Sequence, residues 1–408
     1  MHIVEQIATK IHAQGGRAFY VGGYVRDKIM QHKSHDIDIE VFHLEIEELT
    51  TILATFGNVE PIGKAFGILK LTNYPYIDFA IPRTEQQNGP RHTDFVVTLN
   101  PNLPYIEAAR RRDFTCNALM EDILTGEILD FFGGIQAIQQ HIIQHVDSTT
   151  FIEDALRGLR AAQFATRLQF TIAKRTQALI QQLDYQYISL ERIQSELKKG
   201  IDTNKSAIFL QQLVTLQIMP KILPDFFNWC QQQPHNFKKV LSLLELLDTT
   251  YYEHPAIQLL KYTALIMYIK NDSATRNIFI PQKKLSRFVK RLKSNIWATQ
   301  NITSAIAIRQ LKSQLDDFTD YWVFLTCFAK VEPDIIPLSL GSVDAYKSYF
   351  YTAIQNNPSL TPLVQGRDLL HLGFQPHAHF TTLLAYAQQL EIDGLDKEQI
   401  MKKLLTRK

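Results

Sequence analysis

The chain is poor in cysteine. Its three, Cys116, Cys230 and Cys327, stand far apart among 408 residues and form no CxxC pair. That argues against a disulfide framework or a structural zinc site, and for a reducing, cytoplasmic setting. No run of about 18 apolar residues occurs, so no membrane span is expected. Neither sign of charge dominates: 43 Lys and Arg face 41 Asp and Glu, a net charge of +2 that by itself implies no partner. Internal repeats and low-complexity tracts are also missing. The opening stretch MHIVEQIATKIHAQGG, with Glu5 early, is a mixed amphipathic helix rather than a secretory leader. What is plentiful is apolar residues, 45% of the chain, enough for a large core. At this length more than one packing unit is expected.

Two textures divide the chain. Up to about residue 145, strand and helix signals alternate. Arg17–Val21 is β-rich and ends in Gly22-Gly23, Tyr24–Met30 follows as a short helix, and Asp36–Val41 alternates polar and apolar residues strictly. Glu45–Phe56 has helical periodicity, and Gly67–Leu71, Tyr76–Ile81 and Asp94–Leu99 are strand-like. Beyond residue 145 helical periodicity dominates. Phe151–Leu168 is predicted as one helix, with others over 189–200, 206–217, 236–248, 256–270, 283–297, 303–315, 318–330, 344–355, 377–390 and 396–405. An α+β class follows, with a small mixed sheet in an N-terminal head and an all-α remainder.

Three motifs carry chemistry. In Gly22-Gly23-Tyr24-Val25-Arg26-Asp27 followed by Asp36-Ile37-Asp38, alternation puts both carboxylates on one strand face. Two oxygen-rich side chains at that spacing suit Mg²⁺, which favours carboxylates, waters and substrate phosphates. The glycine turn before a helix lets backbone approach a phosphate, and Arg26 adds a cation. A bare DxD is more often two exposed strand carboxylates; the glycines and Arg26 shift that balance. The second motif is Arg110-Arg111-Arg112-Asp113-Phe114-Thr115-Cys116-Asn117. Arginine forks suit phosphate, although a solvated basic helix start explains this motif as well when read alone. The third motif is Glu153-Asp154-Ala155-Leu156-Arg157-Gly158-Leu159-Arg160. Asp154 and Arg157, three apart on a helix, form either an ordinary surface ion pair or a reader of base edges. In the second case the carboxylate accepts from the amine of cytosine or adenine and the guanidinium donates to ring acceptors.

Taken in order, GGYVRD…DID, RRDFTCNAL, GEILDFFGG and EDALRGLRAAQFATRLQF resemble the class II tRNA nucleotidyltransferases, the bacterial CCA-adding enzyme and poly(A) polymerase family of the polymerase-β superfamily. The resemblance is specific over roughly residues 15–170 and returns faintly at Gly366-Arg367-Asp368-Leu369. It implies a polymerase-β-like head over 1–145, a helical neck over 146–205 for base and triphosphate recognition, a degenerate HD-like body over 206–300 and a tRNA-binding tail over 301–408. It further implies that Asp36 and Asp38 hold two Mg²⁺ ions and catalyse in-line transfer to an RNA 3′-hydroxyl with release of pyrophosphate. Gly22, Gly23, Arg26, Arg111 and Arg112 would meet the triphosphate. Asp113 would read the ribose, Asn117 would belong to the nucleotide site, Asp154 and Arg157 would template the base, and Arg160 would reach the triphosphate. Asp78, in YIDFA, is either an accessory carboxylate or a structural strand residue. The implied substrates are tRNA, CTP and ATP.

The chain departs from that pattern at Gln163, where several relatives carry arginine. Members that add CCA, CC or A are thought to differ partly in a loop, here Pro82–Ala109. Its length favours CCA or A addition, and Thr84–Asn88 with Gly89-Pro90 suggests mobility. On the helix expected over Leu259–Asn271, Met267-Tyr268 stands where an HD phosphohydrolase would place His-Asp, so no phosphatase activity is expected. Residues 273–315 hold nine basic and no acidic residues. Of these, Lys283, Lys284, Arg287, Lys290, Arg291 and Lys293 form a stripe suited to an RNA backbone, or simply a solvated face. Three functions compete: full CCA addition, A addition or polyadenylation within the same family, and an inactive RNA-binding module.

Overall fold

A computed structural model describes the chain except for residues 1–2, 35, 63–66, 88–94, 271–278, 280–282, 302–307, 309–310, 312–313, 315–317, 337–339, 357–361, 376–378, 393–394 and 407–408. The chain forms two compact units, Met1–Gln233 and Pro234–Lys408.

The first unit opens with α1 (Ile3–Ala13), β1 (Arg17–Val21), α2 (Gly23–Ile29), β2 (Ile37–Phe42) and α3 (Ile46–Ala54). There follow β3 (Val59–Ile62), β4 (Ile68–Leu71), β5 (Ile77–Ala80), a hairpin of β6 (Arg83–Gln87) and β7 (Phe95–Leu99), α4 (Tyr105–Arg110), β8 (Met120–Asp122) and β9 (Ile128–Leu129). Seven strands form one sheet in the order β3-β4-β5-β2-β1-β8-β9. Only β2 and β5 run parallel, with Asp38 opposite Asp78. Strict alternation along β2 has the effect read from the sequence: Ile37, Ile39 and Val41 are buried, while Asp38 faces outward. One face packs on Val4, Ile7 and Ile11 of α1 and Leu49 and Leu53 of α3; on the other, Phe19, Val21 and Phe42 form a second apolar cluster with Ala108 and Ala109 of α4.

Next come α5 (Gly134–Gln139), β10 (Ile142–Ile143), α6 (Ser148–Glu153) and α7 (Leu156–Leu168). The sequence predicted one helix over Phe151–Leu168; the structure breaks it at Asp154, whose backbone is extended. The Asp147 carboxylate caps α6 by accepting from the Thr149 and Thr150 N–H groups. Asp154 accepts from the Leu156 N–H at 3.1 Å and so starts α7 afresh. After β11 (Thr171–Ile172) come α8 (Lys174–Gln182), α9 (Leu190–Ile201), α10 (Ser206–Thr215), α11 (Met219–Ile222) and α12 (Pro224–Gln232). Helix α7 packs against both α9 and α10. At Gly158 it meets Tyr185 so closely that an added Cβ would lie 2.0 Å from the phenolic oxygen.

The second unit is helical, with long helices at Pro234–Thr250, Ile257–Ile266, Lys283–Ala298, Phe318–Val331, Val343–Asn356 and His379–Ile392. Most of the helix expected over 303–315 lies outside the described residues. Met267 is buried, and Tyr268 packs its ring near Trp297 and Phe328. On Lys283–Ala298, Val289, Leu292 and Ile296 are buried while Arg287, Lys290 and Arg291 are exposed. The side chains of Lys283 and Lys284 lie outside the described residues. Lys293 donates to the Ile269 carbonyl and Arg291 to the Gln314 carbonyl, so two of the stripe's cations make contacts within the unit. No described helix is long and apolar enough to cross a membrane. All three cysteines are unpaired and buried, and burial pushes the Cys116 and Cys230 thiols up to about 12.

Candidate active site

On the open face of the sheet lies a cleft of about 400 Å³. Asp38 and Glu40 of β2, Asp78 of β5, Arg83 of β6, Arg111 and Arg112 after α4, and Arg157 of α7 line it. Gly22, at φ 68°, turns beside it. A Cβ there would approach Arg112 Nη1 to 2.9 Å and Asp38 Oδ2 to 3.8 Å, so the backbone can lie this close only because the residue is glycine. Asp36 stands exposed just before β2.

Burial in the cleft raises the Asp38 carboxyl above its ordinary value. Arg112 opposes the rise, while the negative charges of Asp78, Asp36 and Glu40 add to it. A site in which carboxylates resist ionising together is one that a dication would relieve. Among the described residues no group of three or more His, Cys, Asp or Glu is gathered as a metal shell. Two carboxylates suffice for Mg²⁺, which keeps waters and takes substrate phosphates as its remaining ligands, so Asp36 and Asp38 fit that ion. Asp78 is held by Lys70 of β4 at 2.9 Å.

The arginines expected to await phosphate are in several cases engaged by the protein. Arg110 pairs with Glu107 at 3.2 Å and Asp147 at 3.5 Å, and Arg112 with Glu40 at 3.5 Å. Arg26 departs furthest from expectation: it is 1% exposed, far from an open triphosphate ligand. Its Nε and Nη2 donate to Asp27 and its Nη1 to Asn117 Oδ1 at 2.5 Å. Asn117 in turn donates to Asp113 Oδ1 at 3.0 Å. Asp113, expected to read the ribose, is buried with both oxygens occupied: Oδ1 also accepts from the Phe114 N–H, and Oδ2 takes Nε and Nη2 of Arg160 at 2.7 and 2.6 Å. Arg160 faces Glu196 of α9 at 3.9 Å. A continuous polar chain thus runs from Arg26 through Asn117, Asp113 and Arg160 to Glu196, tying α2 to α7 and α9. Burial alone would raise the Asp113 carboxyl, but Arg160 and the Asn117 bond outweigh it and hold it below the ordinary range.

Asp154 and Arg157 do not pair with each other. Arg157 Nη1 donates to the Thr150 carbonyl at 2.8 Å and Nη2 to the Arg111 carbonyl at 2.9 Å, which fixes the guanidinium plane at the cleft wall. Asp154 Oδ2 accepts instead from Arg192 Nη2 of α9 at 2.8 Å. Sequence reading missed Arg192, Glu196, Lys70 and Glu40. The first two sit one turn apart on a helix that the periodicity does show, but their partners are 38 and 36 residues away in sequence.

Comparison with known proteins agrees with this architecture. Residues 18–144 match the poly A polymerase head domain, and residues 169–230 match the family described as "Probable RNA and SrmB-binding site of polymerase A". The chain is similar to the multifunctional CCA protein of Xylella fastidiosa strain M23, 32% identical over 51% of this chain and 50% of that one. It is also similar to the CCA-adding enzyme of Buchnera aphidicola subsp. Cinara cedri, 32% identical over 58% and 57%. The chain spans about half the length of the curated relatives it matches. Its fold is that of the Bacillus stearothermophilus CCA-adding enzyme solved in complex with CTP, with a TM-score of 0.67, 22% identity and coverage of 100% of this chain and 98% of that one. The Thermotoga maritima CCA-adding enzyme complexed with tRNA gives a TM-score of 0.64 at 19% identity, covering 98% and 94%.

Proposed function

We propose that this chain, whose residues 18–144 form a poly A polymerase head domain, is a tRNA nucleotidyltransferase. In this reading it adds C, C and A to a tRNA 3′ end from CTP and ATP without a nucleic-acid template, in the cytoplasm. The observation that carries the proposal is that Asp38 and Arg157 line one cleft. A metal-binding carboxylate and a fixed base-edge donor thereby face the same bound nucleotide.

Asp36 and Asp38 would hold Mg²⁺, which when bound would activate the attacking hydroxyl and offset charge on the transferring phosphoryl group. Arg111 and Arg112 line the same cleft as Asp38 and supply cations to the triphosphate. Gly22 leaves room for phosphate against the backbone, and Gly23 continues that turn. Arg157 spends one hydrogen of each terminal nitrogen on a carbonyl and keeps others for ring acceptors of C or A. Asp154, oriented by Arg192, takes the exocyclic amine. U and G present a carbonyl there and leave the carboxylate facing an acceptor. Arg26, Asn117, Asp113 and Arg160 act as a positioning chain that sets α7 against the head. Arg287, Lys290 and Arg291, with Lys283 and Lys284, are proposed to follow the tRNA backbone.

The test uses tRNA ending before CCA, after one C and after CC, each with one nucleotide at a time. CMP should enter the first two and AMP the third. Incorporation of AMP alone onto the CC-ended tRNA, without use of CTP, would instead mark an A-adding enzyme. Asp38→Ala should abolish incorporation while tRNA affinity is retained; a variant that still extends tRNA removes the metal assignment.

A further inference from the structure

Three adjacent strands carry a row of charge across the cleft floor. Asp38 of β2 stands opposite Asp78 of β5, and Asp78 opposite Lys70 of β4. Asp38 and Asp78 both line the cleft. Ile68 of β4 lines it too, and Lys70, two residues further on, shares that face, while Leu69 and Leu71 are buried in the core on the other side. Neighbouring strands lie about 4.8 Å apart, so the Lys70 backbone is roughly 10 Å from that of Asp38. The pairing at the end of the row is incomplete. Lys70 Nζ lies 2.9 Å from Asp78 Oδ1, but the contact lacks the alignment of a hydrogen bond, and among the described residues no donor hydrogen-bonds that buried oxygen. An ammonium has three donors. The Lys70 side chain is 25% exposed, and Asp78 is its one ion-pair partner among the described residues. Lys70 can therefore stay beside Asp78 and still donate to a second anion at the cleft floor.

The direction of the reaction says which anion that is. A Cβ on Gly22 would lie 3.8 Å from Asp38 Oδ2 and 2.9 Å from Arg112 Nη1, so the glycine turn and Arg112 flank Asp38 together. Gly22 follows β1, and β1 borders β2 on the side away from β5. A triphosphate held at that turn directs its leaving pyrophosphate toward β1. In-line displacement sets the attacking oxygen opposite the leaving one. The RNA 3′-hydroxyl then enters from the β5 side, over Asp78, and the chain behind it crosses β4. Behind a 3′-hydroxyl come its own ribose and then the phosphodiester to the preceding nucleotide. Lys70 stands where that phosphate arrives.

We propose that Lys70 binds the last phosphodiester of the RNA and so positions its 3′-hydroxyl beside Asp38. This rests on the nucleotidyl-transfer reading above. The contact touches backbone and no base, so it serves each successive RNA end alike. Lys70 is a positioning residue in this role: it meets the RNA one linkage behind the reacting oxygen.

The experiment uses the full chain, CTP, and tRNA ending before CCA whose last linkage is either a phosphate or an uncharged methylphosphonate. A control tRNA carries the methylphosphonate further in. Wild type is compared with Lys70→Gln and Lys70→Arg. Lys70→Gln should raise the KM for tRNA on the order of tenfold, the loss of one charge-assisted contact, and leave the KM for CTP unchanged. Lys70→Arg should recover most of the loss. The neutral last linkage should cost wild type a similar factor and cost Lys70→Gln almost nothing more, since the charge it removes has no partner left. The control substitution should affect both proteins equally. Equal losses from the last linkage in wild type and Lys70→Gln overturn the proposal, as does a rise confined to the KM for CTP. Full tolerance of the neutral last linkage by wild type overturns it without recourse to any variant. If wild type extends none of these RNAs, the transfer reading fails and takes this contact with it, whereas extension with independent losses removes only the role of Lys70.

Discussion

Asp113→Asn tests the polar chain between head and neck at its centre. Asp113 is 8% exposed and accepts four hydrogen bonds, two of them from Arg160. The amide can keep Oδ1 in place for Phe114 and Asn117, but it turns an NH₂ group toward the Arg160 guanidinium. Removing one partner of a buried pair costs about 3–5 kcal/mol when the other is left fully buried. Arg160 retains 33% side-chain exposure and has Glu196 at 3.9 Å, so a loss of about 2–3 kcal/mol is expected. For a unit of this size that lowers its unfolding midpoint by roughly 4–12 °C. The sign of the pH dependence follows from the depressed carboxyl. Its contribution is present above the unfolded-state value of about 4 and is lost as pH falls through the lower folded value. The stability gap between wild type and variant, read by urea titration with circular dichroism, should therefore be constant from pH 7 to 5 and shrink below about pH 4. A variant within about 0.5 kcal/mol of wild type at pH 7 would refute the reasoning, because surface changes lie in that range. A gap that persists undiminished at acid pH would refute it equally.

Arg192→Ala should lower the preference for CTP over UTP by roughly tenfold, since one misoriented acceptor is worth about 1–3 kcal/mol of base discrimination; a uniform loss with all four nucleotides would make Arg192 structural only. Gly158→Ala places a Cβ 2.0 Å from the Tyr185 oxygen and should destabilise the first unit by about 1–3 kcal/mol, relieved when combined with Tyr185→Phe, as thermal unfolding would show. The double variant Arg287→Ala with Lys290→Ala should weaken tRNA binding and make the salt dependence shallower by about 2 in slope, and an unaltered slope removes this helix from the RNA surface.

How far the sequence could be read depended on how local each signal was. Alternation along Asp36–Val41 located β2 and its outward carboxylate, because a strand's faces follow from period two alone. The periodicity of 189–200 found α9 within a residue of its observed span. The segment Thr84–Asn88, read as a mobile loop, instead pairs mostly as β6 with β7, since its polar residues sit on a hairpin. The short strands β3, β8 and β9 passed unnoticed because two to four residues establish no period. The break at Asp154 was missed because the apolar spacing continues through it. Most was lost where a charge finds its partner across the chain. Arg157 beside Asp154 looks like a salt bridge by spacing, yet backbone carbonyls claim the arginine and Arg192 claims the aspartate. Arg26 read as a phosphate ligand because its burial depends on Asn117, 91 residues later.

The chain from Arg26 to Glu196 also sets the order in which the protein becomes whole during synthesis. Asp113 leaves the ribosome 47 residues ahead of Arg160. At 5–20 residues per second that is a wait of roughly 2–9 s. Throughout it the nascent chain holds a carboxylate without the guanidinium it faces in the finished fold. A head released by truncation before the neck would stay in that state indefinitely. Helix α7 thus completes the interior around Asp113 as well as lining the cleft, and termination before Arg160 should leave a chain that unfolds more readily than the full one.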